Sequence, residues 1–349
     1  MARWRAKSRW MVGVVAVVAV ALLATGAMRD SGNGRAAPAD ASLATGIPAD
    51  VRTEDVVIGQ GEAALAGTLV LPAHAGRAAA VVVVSGSGPN GRHGRIRGFP
   101  AYGTIAGHLA RSGTAVLLLD RRGVGGSAGN WKHERIEDRA DDTLTAVQWL
   151  RQRADVDPGR VGVLGHSQGG WVAELAAARS RDVAFVVLMA GPGESVQAQV
   201  LTDERNEWLR TGRSPEEAQE HADSVGRWLA LADAVAPACR LGRLHPICYT
   251  VEYDAAPALR SIHVPVLALF GELDTMVPPE PNRALIADGL RQAGNPGLTV
   301  RVFAGANHQF WAARTGARAE YAQLEPGYVP GFLDTIGDWI ASVPVQKRG

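Results

Sequence analysis

Apolar residues follow two rhythms along this chain. Runs of valine, leucine, isoleucine and alanine over 79–84, 115–119, 161–164, 185–189, 264–270 and 298–303 read as strands, most of them continuous enough to be buried on both faces. Between them, the stretches 102–111, 136–153, 281–293 and 328–342 carry helical spacing, with Ala140, Leu144, Val147 and Leu150 falling one turn apart. Ahead of the first buried run, 51–58 and 64–71 read as two strands joined at Gly59-Gln60-Gly61, hence a hairpin. Strands alternating with helices predict a mostly parallel central sheet with helices on both faces. The stretch 191–262 breaks this alternation. It holds no good buried strand, only amphipathic segments at 196–209 and 215–232, the second opening at Ser214-Pro215-Glu216-Glu217 with a capping serine and a first-turn proline. It is expected to form a helical cap inserted between two parts of one core, 50–190 and 263–349. Trp208 and Trp228 of the cap either line a pocket or pack helix against helix.

The strand predicted at 161–164 ends in Gly165-His166-Ser167-Gln168-Gly169, and an alanine-rich helix follows at once. This strand-turn-helix context is the one that the G-x-S-x-G signature requires. A serine on so sharp a turn takes a strained backbone, and the residues two places away on either side must be small for strand and helix to approach. The Ser167 oxygen is then exposed at the top of the sheet, and the Gln168 N–H, at the helix start, points to where an oxyanion would form.

A serine hydroxyl needs a base to become a nucleophile, and the base needs an orienting group. Behind such an elbow the chain order is serine, acid, histidine. Of nine histidines, His308 alone lies beyond the cap and after the next acidic loop, in a loop that follows the last predicted strand. The acid belongs to Gly271-Glu272-Leu273-Asp274, after the run 264–270. Asp274 is preferred to Glu272, which reads as structural. A second oxyanion donor is expected in Ser85-Gly86-Ser87-Gly88, with the Ser87 N–H as first choice and Gly86 as the near alternative. No Lys-Ser/Thr pair ends that loop, which argues against phosphate binding. Gly123-Val124-Gly125-Gly126-Ser127-Ala128 loosely resembles a dinucleotide fingerprint, but it follows a late strand and opens no clear helix, so it reads as a structural loop.

Charge announces no partner: 36 basic against 35 acidic residues leave a net +1, with no global pull toward nucleic acid. The N-terminus differs in kind. Arg3, Arg5, Lys7 and Arg9 precede an uncharged stretch over 10–28, long enough to span a bilayer as one helix. Residues 1–28 are therefore a signal peptide or membrane anchor, with the rest of the chain outside the cytoplasm, and 29–49 a flexible linker. Small residues at Thr25-Gly26-Ala27 and Ala37-Pro38-Ala39 are compatible with cleavage, and both outcomes stay open: a secreted or periplasmic protein, or one anchored to the outer face of the cytoplasmic membrane. The two cysteines, Cys239 and Cys248, bracket one short segment. In an oxidising compartment they are expected to form a disulfide, the alternative being two free thiols. A metal site is disfavoured, because only His245 lies nearby.

Five motifs in order carry a family resemblance: Ser85-Gly86-Ser87-Gly88-Pro89, the Asp120 to Ser127 loop, Gly165-His166-Ser167-Gln168-Gly169, the run from Pro265 to Asp274, and Gly305-Ala306-Asn307-His308. Over 52–342 the chain resembles α/β-hydrolases, of the branch similar to dienelactone hydrolases and prolyl-oligopeptidase-like esterases. The resemblance implies the α/β-hydrolase fold, hydrolysis through an acyl-enzyme, no metal or organic cofactor, and the roles given to Ser167, Asp274 and His308. Dienelactone hydrolases proper use a cysteine where this chain has Ser167, so lactone specificity does not carry over. Prolyl oligopeptidases carry a propeller for which the residues before the sheet leave no room. The expected activity is a carboxylesterase on a small or medium acyl ester, losing rate at acidic pH as His308 protonates. A thioesterase or serine peptidase on the same triad is the alternative, and a non-catalytic binding protein of the cell envelope the alternative of another class.

Overall fold

The structure, a computed structural model, describes residues 45–73, 76–241 and 252–346, with side chains described outside 232–241. The expected signal or anchor at 1–28 and most of the linker lie outside the described residues, as does the Cys239–Cys248 pairing. Among the described residues no helix is long and apolar enough to cross a membrane.

The hairpin comes first, Arg52–Ile58 (β1) antiparallel to Leu65–Leu71 (β2). Ala78–Val84 (β3) is followed by a two-residue ladder of Arg95–Ile96 (β4) with Phe99–Pro100 (β5), then Ala101–Arg111 (α1), Thr114–Leu119 (β6) and Ile136–Arg151 (α2). Val156–His166 (β7), Gln168–Arg179 (α3) and Val186–Met189 (β8) lead into Val196–Arg210 (α4) and Pro215–Leu241 (α5). Ala256–Leu259 (α6), Val266–Gly271 (β9), Pro279–Gln292 (α7), Leu298–Phe303 (β10) and Phe332–Ser342 (α8) complete the chain. The main sheet has eight strands in the order β1-β2-β6-β3-β7-β8-β9-β10. β2 runs antiparallel to both its neighbours, and every pairing from β6 to β10 is parallel. This is the α/β-hydrolase fold.

Alternation along β3 shows why the sheet is buried twice. Ala80, Val82 and Val84 enter a core formed with α2 and α3, where Ala146, Leu150, Val172 and Ala176 pack. Ala79, Val81 and Val83 enter the core on the other face, with Ile105 and Leu109 of α1 and Phe332, Ile336 and Ile340 of α8. Each strand residue therefore has apolar neighbours on its own face, which explains the unbroken valine run.

Three elements differ from the pattern-based expectation. β7 begins at Val156, ahead of the apolar run, because Val156 already pairs with Ala78, and Asp157 to Arg160 fall in a register shift before pairing resumes between Val161 and Ala80. α5 continues to Leu241, through an alanine-rich stretch whose helix propensity outlasts its amphipathic pattern. The end of the expected linker is packed on α1: Ile47 is buried, and the Arg111 side chain donates to Asp50 at 2.7 Å.

Candidate active site

The chemically interesting loops gather at the carboxyl ends of β3, β7, β9 and β10, the usual place for function in such a sheet. After β7, Ser167 sits at φ 53°, ψ −123°, a conformation that costs a non-glycine residue of the order of 1–3 kcal/mol. The turn is tight enough that a Cβ on Gly165 would lie 2.1 Å from the Gly169 carbonyl oxygen, and one on Gly169 would lie 2.3 Å from that of Val84. Only hydrogen fits in either place.

After β10, the buried His308 places Nδ1 2.7 Å from Asp274 Oδ2. The other oxygen of Asp274 accepts the N–H groups of Met276 and Val277, both at 2.9 Å. The carboxylate is thus fixed by three donors, and the Nδ1 proton of His308 by one acceptor. His308 Nε2 is buried without a partner among the described residues. Glu272, the other candidate acid, points elsewhere and accepts the Gly305 N–H at 2.8 Å, tying the β9 and β10 loops together.

The loop after β3 lies against the elbow, since a Cβ on Gly86 would be 3.4 Å from that of Ser167. Its carbonyls are all engaged. Arg139 Nη2 donates to Ser85 at 2.6 Å, Asn90 Nδ2 donates to Gly86 at 3.2 Å and Ser87 at 2.7 Å, and Arg121 Nη1 donates to Gly88 at 2.9 Å. With the carbonyls held by side chains, the N–H groups of Ser87 and Gln168 find no acceptor among the described residues. Arg121 is itself paired with Glu134 at 2.6 Å, both buried. Arg139 is buried with no carboxylate in contact among the described residues, spending a second N–H on Gln168 Oε1 at 2.8 Å. Burial, with Arg121 nearby, pushes its guanidinium down to about 9. Arg121 and Arg139 carry no sequence signal for supporting this loop, because their partners lie 33 and 54 residues away, whereas Asn90 closes its own loop on carbonyls three and four residues earlier.

The loop that resembles a dinucleotide fingerprint is structural. Burial acts to raise the pKa of Asp120, but hydrogen bonds from Arg92 and from the Gly126 N–H outweigh it and hold the carboxyl below its ordinary value. The same carboxylate thereby ties two loops to the end of β6.

α4 lies on the Asp274 loop. Gln199 donates to the Met276 carbonyl at 2.9 Å and Asn206 to that of Thr275 at 3.2 Å, while Asp203 between them pairs with Arg318 in the 3₁₀ segment Arg318–Gln323. Burial, opposed by Arg318, pushes the Asp203 carboxyl up to about 7. Trp208 stacks on His221 of α5, ring centroids 4.1 Å apart, so at least that tryptophan packs helix against helix.

Residues 79–313 match the family model described as serine aminopeptidase, S33. The chain belongs to this α/β-hydrolase family. It is 26% identical over 280 residues to esterase EstD of Thermotoga maritima, an alignment covering 79% of this chain and 65% of that protein. The chain therefore spans just under two thirds of the length of that curated relative. In structure it is similar to the α/β hydrolase GrgF from Penicillium sp. sh18, with TM-score 0.56 and 21% identity, covering 84% of this chain and 99% of that one. It is also similar to the Pyrococcus furiosus esterase Pf2001, with TM-score 0.55 and 16% identity over 89% and 96% of the two chains. Identities this low speak for the fold alone. Together the matches place the chain in an esterase- and peptidase-like family of hydrolases.

Proposed function

We propose that the protein is a serine hydrolase that cleaves a small or medium acyl ester through an acyl-enzyme on Ser167, His308 and Asp274. The strained backbone of Ser167 carries this reading, since a serine held at φ 53° against two obligatory glycines has no structural need that a relaxed turn would not meet. Ser167 Oγ attacks the carbonyl carbon and its proton passes to His308 Nε2. Asp274 accepts the Nδ1 proton, holds the tautomer and stabilises the imidazolium. The oxyanion receives the N–H groups of Gln168 and Ser87, and loss of one such donor typically costs about 3 kcal/mol of transition-state stabilisation. His308 returns the proton to the departing alkoxide, the C–O bond breaks, and water repeats the cycle to release the acid. The similarity to an esterase over most of this chain supports an oxygen ester as the substrate class.

The full chain should react with a fluorophosphonate probe, with the adduct on the peptide that contains Ser167 and no adduct in Ser167→Ala. An unlabelled, folded protein would leave the reading without its nucleophile. Oxygen esters, thioesters and aminoacyl amides offered to unlabelled protein from the same preparation then separate esterase from thioesterase and peptidase.

A further inference from the structure

Two buried side chains beside the site take no part in the reaction just described, and they face each other. Tyr102 lies in the first turn of α1, and His166 ends β7 immediately before Ser167. Tyr102 Oη is 3.1 Å from the Gly86 nitrogen and 3.0 Å from His166 Nδ1. The other ring nitrogen of His166, Nε2, is 3.4 Å from the His308 carbonyl oxygen, the longest of the three contacts.

Donor and acceptor chemistry allows these contacts one direction. The Gly86 N–H only donates, so Tyr102 Oη accepts there and its single proton is free for His166. The His308 carbonyl only accepts, so His166 carries its proton on Nε2 and offers the Nδ1 lone pair to Tyr102. The opposite tautomer would set a ring lone pair against the carbonyl and aim the tyrosine proton at an N–H. Burial, followed by the proximity of His308, pushes His166 down to about 3, and burial pushes the Tyr102 phenol up to about 12. The chain of hydrogen bonds therefore keeps one protonation state across the working pH range. It runs from Gly86 N–H through Tyr102 and His166 to the carbonyl of His308, and so joins the loop that holds one oxyanion donor to the loop that holds the base.

We propose that Tyr102 and His166 are positioning residues that act as one strut, fixing the oxyanion loop and the His308 loop at a set separation across Ser167. This rests on the serine-hydrolase reading. The Ser85–Gly86 peptide is gripped at both ends, its carbonyl by Arg139 at 2.6 Å and its N–H by Tyr102. Without the hydroxyl, the Gly86 N–H is left buried and unpaired, and rotation of that peptide relieves it. The same rotation swings the next N–H, that of Ser87, away from the oxyanion. At the far end, release of the His308 carbonyl frees the backbone that carries the base.

The test uses the full chain with Tyr102→Phe, His166→Asn and the two combined. Asparagine retains an acceptor near the Nδ1 position and cannot reach the His308 carbonyl. The rate of fluorophosphonate labelling at Ser167 is measured beside kcat and KM for p-nitrophenyl acetate and the thermal midpoint. Each single variant is expected to lose at least about tenfold in kcat and labelling rate, with KM within about twofold, as a misplaced catalytic group does. The double variant should be no slower than the slower single one, because one strut breaks only once. Wild-type kcat in Tyr102→Phe, or losses that multiply in the double variant, would overturn the proposal. Should His166→Asn fail to fold, His166→Gln replaces it: it keeps a donor near the Nε2 position but breaks the link to Tyr102, so kcat should fall at least about tenfold, and a wild-type kcat would again overturn the strut. Wild-type protein that does not label at Ser167 removes the reaction and the strut together. Labelling of wild type with equal labelling of the variants removes the strut alone.

Discussion

Ser167 is held in a strained conformation by what its neighbours lack. The atoms that a side chain at Gly165 or Gly169 would strike belong to the backbone, which cannot swing aside as a flexible side chain can. At Gly169 the obstacle is the end of β3, with the Val84 carbonyl oxygen at 2.3 Å and that of Ser85 at 2.8 Å from the added carbon. Gly169→Ala must therefore displace the strand end from which the oxyanion loop departs. Overpacking of this kind costs about 1–3 kcal/mol of stability. The larger effect is expected on rate, about a hundredfold in fluorophosphonate labelling, since displacements near 1 Å cost that much when they reach catalytic groups. Urea unfolding and labelling kinetics on the same sample separate the two. A variant that labels at the wild-type rate would show that the elbow tolerates the extra carbon and that the spacing does not govern reactivity.

At the level of elements, loops at four strand ends carry the residues of the proposed reaction, and α4 steadies one of them. Gln199, Asp203 and Asn206 follow the helical repeat along a single face, and that face meets the Asp274 loop and the Arg318 segment. Arg318→Met would leave Asp203 buried opposite an apolar chain, and breaking one side of a largely buried ion pair costs about 3 kcal/mol. Because α4 and α5 pack chiefly on each other, the expected outcome is local release. Limited proteolysis within 196–241 should accelerate about tenfold or more, at a thermal midpoint close to wild type. Unchanged proteolysis would mean that the two amide contacts hold α4 without the ion pair. The existence of these two helices was legible in the sequence, including the start of α5, where the Ser214 hydroxyl accepts the Glu217 N–H and Glu217 accepts the Ser214 N–H. The part of the α4 face that meets the Asp274 loop and the Arg318 segment, Gln199, Asp203 and Asn206, was not legible, because it is polar and lies beside the short apolar contact of Val196 and Val200.

For the molecule as a whole, what the sequence disclosed and what it withheld follow one physical division. Strands buried on both faces must be apolar throughout, so the parallel sheet from β6 to β9 could be read from its valine and leucine runs, with the half-exposed edge strand β10 following, and the loops at strand ends could be ordered along the chain. The Gly165–Gly169 turn brought forward Ser167, chain order from it brought forward His308 and the Asp274 loop, and the fold sets Asp274 and His308 2.7 Å apart. Tyr102 and Arg139 left no comparable trace, since a side chain that supports a remote loop has no required spacing from it. Glu174 is the clearest silent position. On α3 it interrupts an otherwise apolar face, it is wholly buried, and neither carboxylate oxygen has a partner among the described residues. Burial raises its pKa well above the ordinary value of 4.5. The folded protein then holds a proton that the unfolded chain releases. Below the unfolded value both states are protonated and Glu174 adds no pH dependence; as pH rises through that value and on toward the raised folded one, stability falls. Glu174→Gln removes the proton exchange while keeping the side-chain shape. Its stability relative to wild type should therefore climb steadily between pH 4.5 and pH 8, the other carboxylates cancelling in the comparison. Urea unfolding of the two proteins across that range measures the difference directly. A difference that stays level with pH would mean that Glu174 is solvated or paired in the folded protein, and the neutral buried carboxyl would have to be abandoned.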